Sequence, residues 1–164
     1  MASKVFLEGQ DSLKDVTMDK HIYFSLLAPL NDRSYHAMHA KGSNDGDRVE
    51  LDMGGKGPLN TWALNPKDVA TFNYFIALQE VFKYLECPAE PASQVFINTQ
   101  GDADQNGGTQ VWIFIWVDAK KGWTIQNKKT CRYLSCARNC GYEPVKCDKK
   151  AVDETCYWQL SYMK

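Results

Sequence analysis

Apolar positions along this chain fall into short runs and alternations, separated by polar and glycine-rich segments. The longest run is Val111-Trp112-Ile113-Phe114-Ile115-Trp116-Val117. Its β-branched and aromatic residues favour a strand, and it is too short to cross a bilayer. Alternation puts Val111, Ile113, Ile115 and Val117 on one face and Trp112, Phe114 and Trp116 on the other. Both faces are apolar, which predicts a central strand covered on both sides. Residues 5–7, 21–27, 48–53, 94–98 and 155–163 read as further strands. Residues 109–117 and 123–126 read as a hairpin around 118–122.

One segment carries helix signals. Asn65 suits an N-cap, Pro66 the first helical position, and Asp68 complements a helix N-terminus. Val69, Phe72, Phe75, Ile76, Leu78, Phe82 and Leu85 then form a wide apolar arc, and Cys87-Pro88 ends it. This predicts a buried helix over about 66–86, although residues 71–76 alone also fit a strand. No internal repeat and no domain boundary stand out. The expected fold is therefore a single β-rich α+β domain over 1–164. We expect an antiparallel sandwich or curled sheet with one packed helix and a cysteine-rich, disulfide-stapled segment at 128–164.

Composition narrows the function classes. The 164 residues are 44% hydrophobic and 12% aromatic, enough to build a core rather than a disordered chain. A net charge of −1 offers no basic face for nucleic acid. No apolar stretch is long enough for a membrane span, and the N-terminus lacks the apolar region of a signal peptide.

The cysteines are the densest chemical signal. Cys131, Cys136, Cys140, Cys147 and Cys156 crowd the C-terminal segment, and Cys87 lies upstream. Zinc knuckles need closely spaced pairs, and no C-x-x-C or nearby histidine is present. Disulfides are the better reading, and they suggest an extracellular or virion context. Residues 130–140 fit a short helix ended by Gly141. On it Cys136 and Cys140 would share a face, able to reach Cys147 and Cys156, with Cys131 left for Cys87.

The loop Asp102-Ala103-Asp104-Gln105-Asn106-Gly107 resembles the first half of an EF-hand or dockerin calcium loop. The twelfth position is Ile113, where that pattern places a bidentate Glu. The resemblance thus implies too few ligands at Asp102, Asp104 and Asn106 for tight binding, and no metal or other cofactor is expected. His36 and His39 would share a face only on a helix, and His21 has no partner by spacing. Asp45 and Asp47 flank Gly46 as a turn. No nucleophile elbow, P-loop or dinucleotide fingerprint is present, so no catalytic residue is assigned and a non-enzymatic role is expected.

Aromatic side chains remain. Trp112 and Trp116 read as core. Trp62, Trp123, Tyr157 and Trp158 have polar neighbours in sequence and are candidates for interface or ligand contact. The primary expectation is a structural or assembly protein, of virion, appendage or inclusion-subunit type, working through self-association or contact with other subunits. The alternative is a glycan- or surface-binding module, lectin-like or toxin-like.

Overall fold

A computed structural model describes residues 3–27, 37–52, 58–88, 94–99, 108–137 and 143–164. Strand β1 (Lys4–Phe6) precedes three successive units of four strands. The first unit is β2 (Tyr23–Leu26), β3 (Ala37–Ala40), β4 (Val49–Asp52) and β5 (Trp62–Asp68). The second is β6 (Asn73–Leu78), β7 (Lys83–Glu86), β8 (Phe96–Asn98) and β9 (Val111–Val117). The third is β10 (Gly122–Asn127), β11 (Tyr133–Cys136), β12 (Val145–Lys149) and β13 (Trp158–Met163).

The first and last strand of each unit build a barrel. Antiparallel pairing runs β2–β13–β10–β9–β6–β5. The ring closes through Ile22 and Trp62, whose backbones exchange N–H···O bonds of 2.8 and 2.9 Å. Closure leaves these strands without a free edge. The middle strands of each unit form three hairpins, β3–β4, β7–β8 and β11–β12. Bridges Arg48↔Phe96, Glu50↔Pro144 and Gln94↔Lys146 join them pairwise into a triangle. Val49 N–H donates to Val95 O at 3.1 Å, and Val95 N–H to Val145 O at 3.0 Å.

The triangle sits on the barrel because tryptophans tie the two together. Trp62 Nε1 donates to Met38 O at 2.9 Å, Trp112 Nε1 to Leu85 O at 3.0 Å, and Trp158 Nε1 to Leu134 O at 2.9 Å. Each bond runs from the last strand of a unit to that unit's first hairpin strand. The same threefold correspondence orders the core: Ile22, Tyr74 and Trp123; Phe24, Ile76 and Ile125; Val49, Val95 and Val145; Leu64, Phe114 and Leu160. These sets recur roughly fifty residues apart, and every member is essentially inaccessible to solvent. The chain therefore does contain an internal repeat, one of burial and bonding rather than of residue identity.

The α+β expectation is overturned: no α-helix is present among the described residues. Residues 66–86 form the end of β5, then β6 and β7. The capping signals serve a single 3₁₀ turn at Val69–Thr71, where Asp68 accepts from Ala70 N–H at 3.1 Å. Phe72 and Phe82, two members of the supposed helical arc, have φ of 57° and 52° and sit in turns. Pro66 lies beside a register irregularity in β5, where its missing N–H does no damage to the ladder. The helix expected at 130–140 is instead a turn through Cys131 (φ 58°) followed by β11.

The run 111–117 does form a strand, between β6 and β10, but its second face is covered only at the start, where Val111 packs in a small cluster with Phe75 and Tyr84. Trp112 and Phe114 point into the barrel, whereas Ile115 is 45% exposed. Phe114 centres an aromatic cluster with Tyr74 (5.5 Å between centroids), Trp123 and Phe24 (both 6.3 Å). At the chain's beginning, β1 pairs with β13, and Leu7 O accepts from Trp123 Nε1 at 2.8 Å.

Candidate functional site

The tryptophans proposed for contact are structural. Trp62, Trp123 and Trp158 are fully buried with their indole N–H groups bonded to main-chain carbonyls. They cannot meet a ligand without unfolding. Tyr157 is half-buried at the rim, with Lys120 Nζ 5.6 Å from its ring centroid and bonded to Glu154 at 2.8 Å. Asp102, Asp104, Asn106, His36 and Cys140 lie outside the described residues. His21 is exposed, while His39 faces Glu50 across β3–β4, with Nδ1 3.2 Å from Glu50 O. Among the described residues no group of three His, Cys, Asp or Glu side chains converges.

The five described cysteines are free thiols. Cys87, Cys136, Cys147 and Cys156 are buried, and Cys131 is exposed. Burial pushes the Cys136 thiol up to about 12, so it stays protonated and packs as a small apolar group. Cys136 and Cys147 lie on opposite strands of one hairpin rather than on a helix and its partner. Cys131 ends a turn at the surface, its Sγ 3.9 Å from Lys128 O.

Among the described residues two concavities lie on the hairpin triangle. One is an open cleft of about 330 Å³ lined by Gly46, Arg48, Pro88, Gln94 and Phe96. It lies where β4 meets β8, at the Arg48↔Phe96 bridge. Gln94 is held there by its Nε2, which donates to Val49 O at 2.7 Å. Phe96 is half-buried and Arg48 is exposed. Beside it Asp45 joins the hairpins by accepting from Lys83 Nζ at 2.8 Å and from Thr99 N–H at 2.9 Å. The hydrogen bonds from Lys83 and Thr99 hold the Asp45 carboxyl below the usual carboxylate range.

The second cleft, of about 150 Å³, lies over β11–β12 and is lined by Ser135, Cys136, Ala137, Glu143, Pro144, Lys146, Asp148, Lys149 and Thr155. Ser135 Oγ donates to Asp148 Oδ1 at 3.2 Å, and Lys149 pairs with Asp153 at 3.5 Å. The ladders show how the two clefts correspond. Glu86 faces Phe96 in β7–β8 as Ser135 faces Lys146 in β11–β12. The same position in the fold thus carries an aromatic ring in one unit and an ammonium group in another. Phe96, Arg48 and Gln94 were missed as site residues because they fall in ordinary strand segments. Their meeting depends on the triangle, which no local pattern reports.

No family model and no curated protein matches this chain. Solved structures do match. A designed threefold-symmetric protein, ThreeFoil, superposes with a TM-score of 0.72 at 14% identity, over 87% of this chain and 98% of the other. The Polyporus squamosus lectin, solved with the sialylated epitope Neu5Acα2-6Galβ1-4GlcNAc, gives 0.65 at 17% identity over 88% of this chain and 50% of the lectin. The BEL β-trefoil gives 0.64 at 12% identity over 92% and 97%. A mosquitocidal holotoxin is also among the matching structures. At these identities the likeness concerns architecture. The barrel of six strands, the triangle of three hairpins and the threefold core place this chain in the β-trefoil fold, which its neighbours among lectins and toxins share.

Proposed function

We propose that this protein is a non-enzymatic binding module that recognises carbohydrate through the cleft between β4 and β8. The observation that carries the reading is the composition of that cleft: a half-buried Phe96 together with Arg48 and Gln94 in its lining. A sugar ring has one apolar C–H face and a rim of hydroxyls. An aromatic face takes the first, and planar groups with paired donors or acceptors take the second. Gln94 is fixed by its bond to Val49 O, so part of the site is organised before a ligand arrives. The glycan-bound lectin among the structural neighbours favours this reading over an assembly role.

The test is a glycan array probed with the purified protein, followed by calorimetric titration of the best binder. Phe96→Ala and Arg48→Ala should each weaken binding at least about tenfold, roughly 1.4 kcal/mol, with the unfolding midpoint little changed. An array without binders, or variants that bind as well as the parent, would refute the assignment.

A further inference from the structure

Two cysteines from different units meet in the core. Cys87 directly follows β7, and Cys147 lies within β12, 60 positions apart in sequence. Cys87 Sγ lies 3.9 Å from the Cys147 carbonyl oxygen and 3.5 Å from Thr130 Oγ1. Cys147 Sγ lies 4.0 Å from the same Thr130 oxygen. Sulfurs from two different units thus approach one hydroxyl. Each thiol also reaches a carbonyl oxygen, Cys87 that of Pro88 and Cys147 that of Arg132, both at 3.5 Å, whereas the contacts of Cys131, Cys136 and Cys156 with Lys128, Glu143 and Asp153 involve no second cysteine. We propose that Cys87 and Cys147 are a redox couple that closes to a disulfide, tying the second hairpin to the third.

The surroundings suit thiol–disulfide exchange and give the two sulfurs different roles. The hydrogen bond from Cys147 favours the Cys87 thiolate, helped by Thr130 and by the guanidinium of Arg132. The same interaction, together with burial, pushes the Cys147 thiol up. Cys87, which follows the end of β7 and adjoins Pro88 of the cleft, is assigned as the attacking sulfur. With glutathione disulfide as the oxidant, the Cys87 thiolate attacks one of its sulfurs, forms a mixed disulfide and expels a glutathione thiolate, which takes up a proton. Cys147 then loses its proton and attacks Cys87 Sγ. This forms the internal S–S bond and releases the second glutathione thiol. Two protein thiols are oxidised and one glutathione disulfide is reduced, so atoms and electrons balance. Both cysteines are almost fully buried, so exchange proceeds through local opening, or before the third unit docks during folding. The bridge would run alongside the Val95–Val145 backbone bond and would pin Pro88, which lines the cleft.

The experiment equilibrates the full chain with glutathione disulfide, blocks remaining thiols by alkylation, digests with trypsin without reduction and maps the peptides by mass spectrometry. The expected product joins the peptide 84–120 to the peptide 147–149. Oxidation should also raise the melting temperature by about 10 °C in the parent and leave Cys87→Ser and Cys147→Ser unmoved. A linkage of Cys87 to any other cysteine, or full alkylation of both after oxidation, would overturn the proposal. So would an equal thermal shift in the serine variants. Should those variants fail to fold, the peptide map of the parent decides alone.

Discussion

Trp62 is the residue on which the sequence reading and the structure disagree most sharply, and Trp62→Phe separates them. Read from its polar neighbours, Trp62 is a surface anchor whose loss spares folding. In the structure its side chain is inaccessible, its Nε1 donates to Met38 O at 2.9 Å, and its backbone closes the barrel against Ile22. Phenylalanine keeps a ring but cannot donate. The Met38 carbonyl then stays buried without that partner, which costs about 1–3 kcal/mol. The missing pyrrole portion leaves a void of roughly 35–40 Å³, and at about 24 cal/mol per Å³ this adds about 1 kcal/mol. The sum is about 2–4 kcal/mol, a large share of a typical domain's stability.

With a urea slope of about 2 kcal/mol per molar, the midpoint should fall by about 1–2 M. Unfolding is best followed by far-ultraviolet circular dichroism, since the substitution removes a fluorophore. Trp112→Phe and Trp158→Phe should behave alike, because each removes the equivalent bond to Leu85 O or Leu134 O. Trp116→Phe is the control. Its Nε1 reaches only Asp118 on an exposed turn, at 3.4 Å, and the cost should stay below about 1 kcal/mol. An unchanged midpoint for Trp62→Phe, or binding lost while stability is kept, would refute the structural role.

Two further outcomes follow from the same coordinates. Phe114→Ala should cost about 3–5 kcal/mol through loss of the aromatic centre, and Ile115→Ala less than about 1 kcal/mol, since Ile115 is 45% exposed; denaturant titration of the pair checks which face of β9 is buried. Asp45 has a folded-state pKa below its unfolded value of about 4, so its contribution is present above that pH and is lost as pH falls through the folded value. Asp45→Asn should therefore destabilise at neutral pH, with the gap to the parent closing below about pH 4 in unfolding curves taken across pH.

Local signals in this sequence report strands well and their partners badly. Alternation in residues 48–53 and the apolar run at 111–117 correspond to β4 and β9. The same logic failed at 66–86, where apolar residues spaced three and four apart belong to two strands and their turns. Phe72 and Phe82 look helical by spacing, yet both sit at positive φ, which bulky residues seldom occupy and no propensity predicts. The threefold repeat escaped notice because most equivalent positions share burial but neither size nor identity. Ile22, Tyr74 and Trp123 fill matching places. The tryptophans at 62, 112 and 158 and the valines at 49, 95 and 145 keep one residue type, and their spacing was the legible trace of the architecture.

That difference between inside and outside bears on where binding resides. Inward cross-strand pairs of the three hairpins, Met38–Leu51, Leu85–Ile97 and Leu134–Cys147, are all apolar and fully buried. The neighbouring pairs that alternate with them are His39–Glu50, Glu86–Phe96 and Ser135–Lys146. No two of these share a charge pattern, and only one has a phenyl ring. Core packing constrains the first set, because each unit must fill the same share of one interior. Packing constrains the second set less, since of its members only Ser135 is buried, so the units are interchangeable as scaffold and distinct as surface. Three equivalent binding sites would require three similar outward pairs. Among the described residues one cleft is aromatic-walled and another ionic, and a ligand held by the Phe96 cleft should bind with a stoichiometry of one per chain. A calorimetric stoichiometry of three would mean that recognition rests on features the units share, not on the Phe96 cleft.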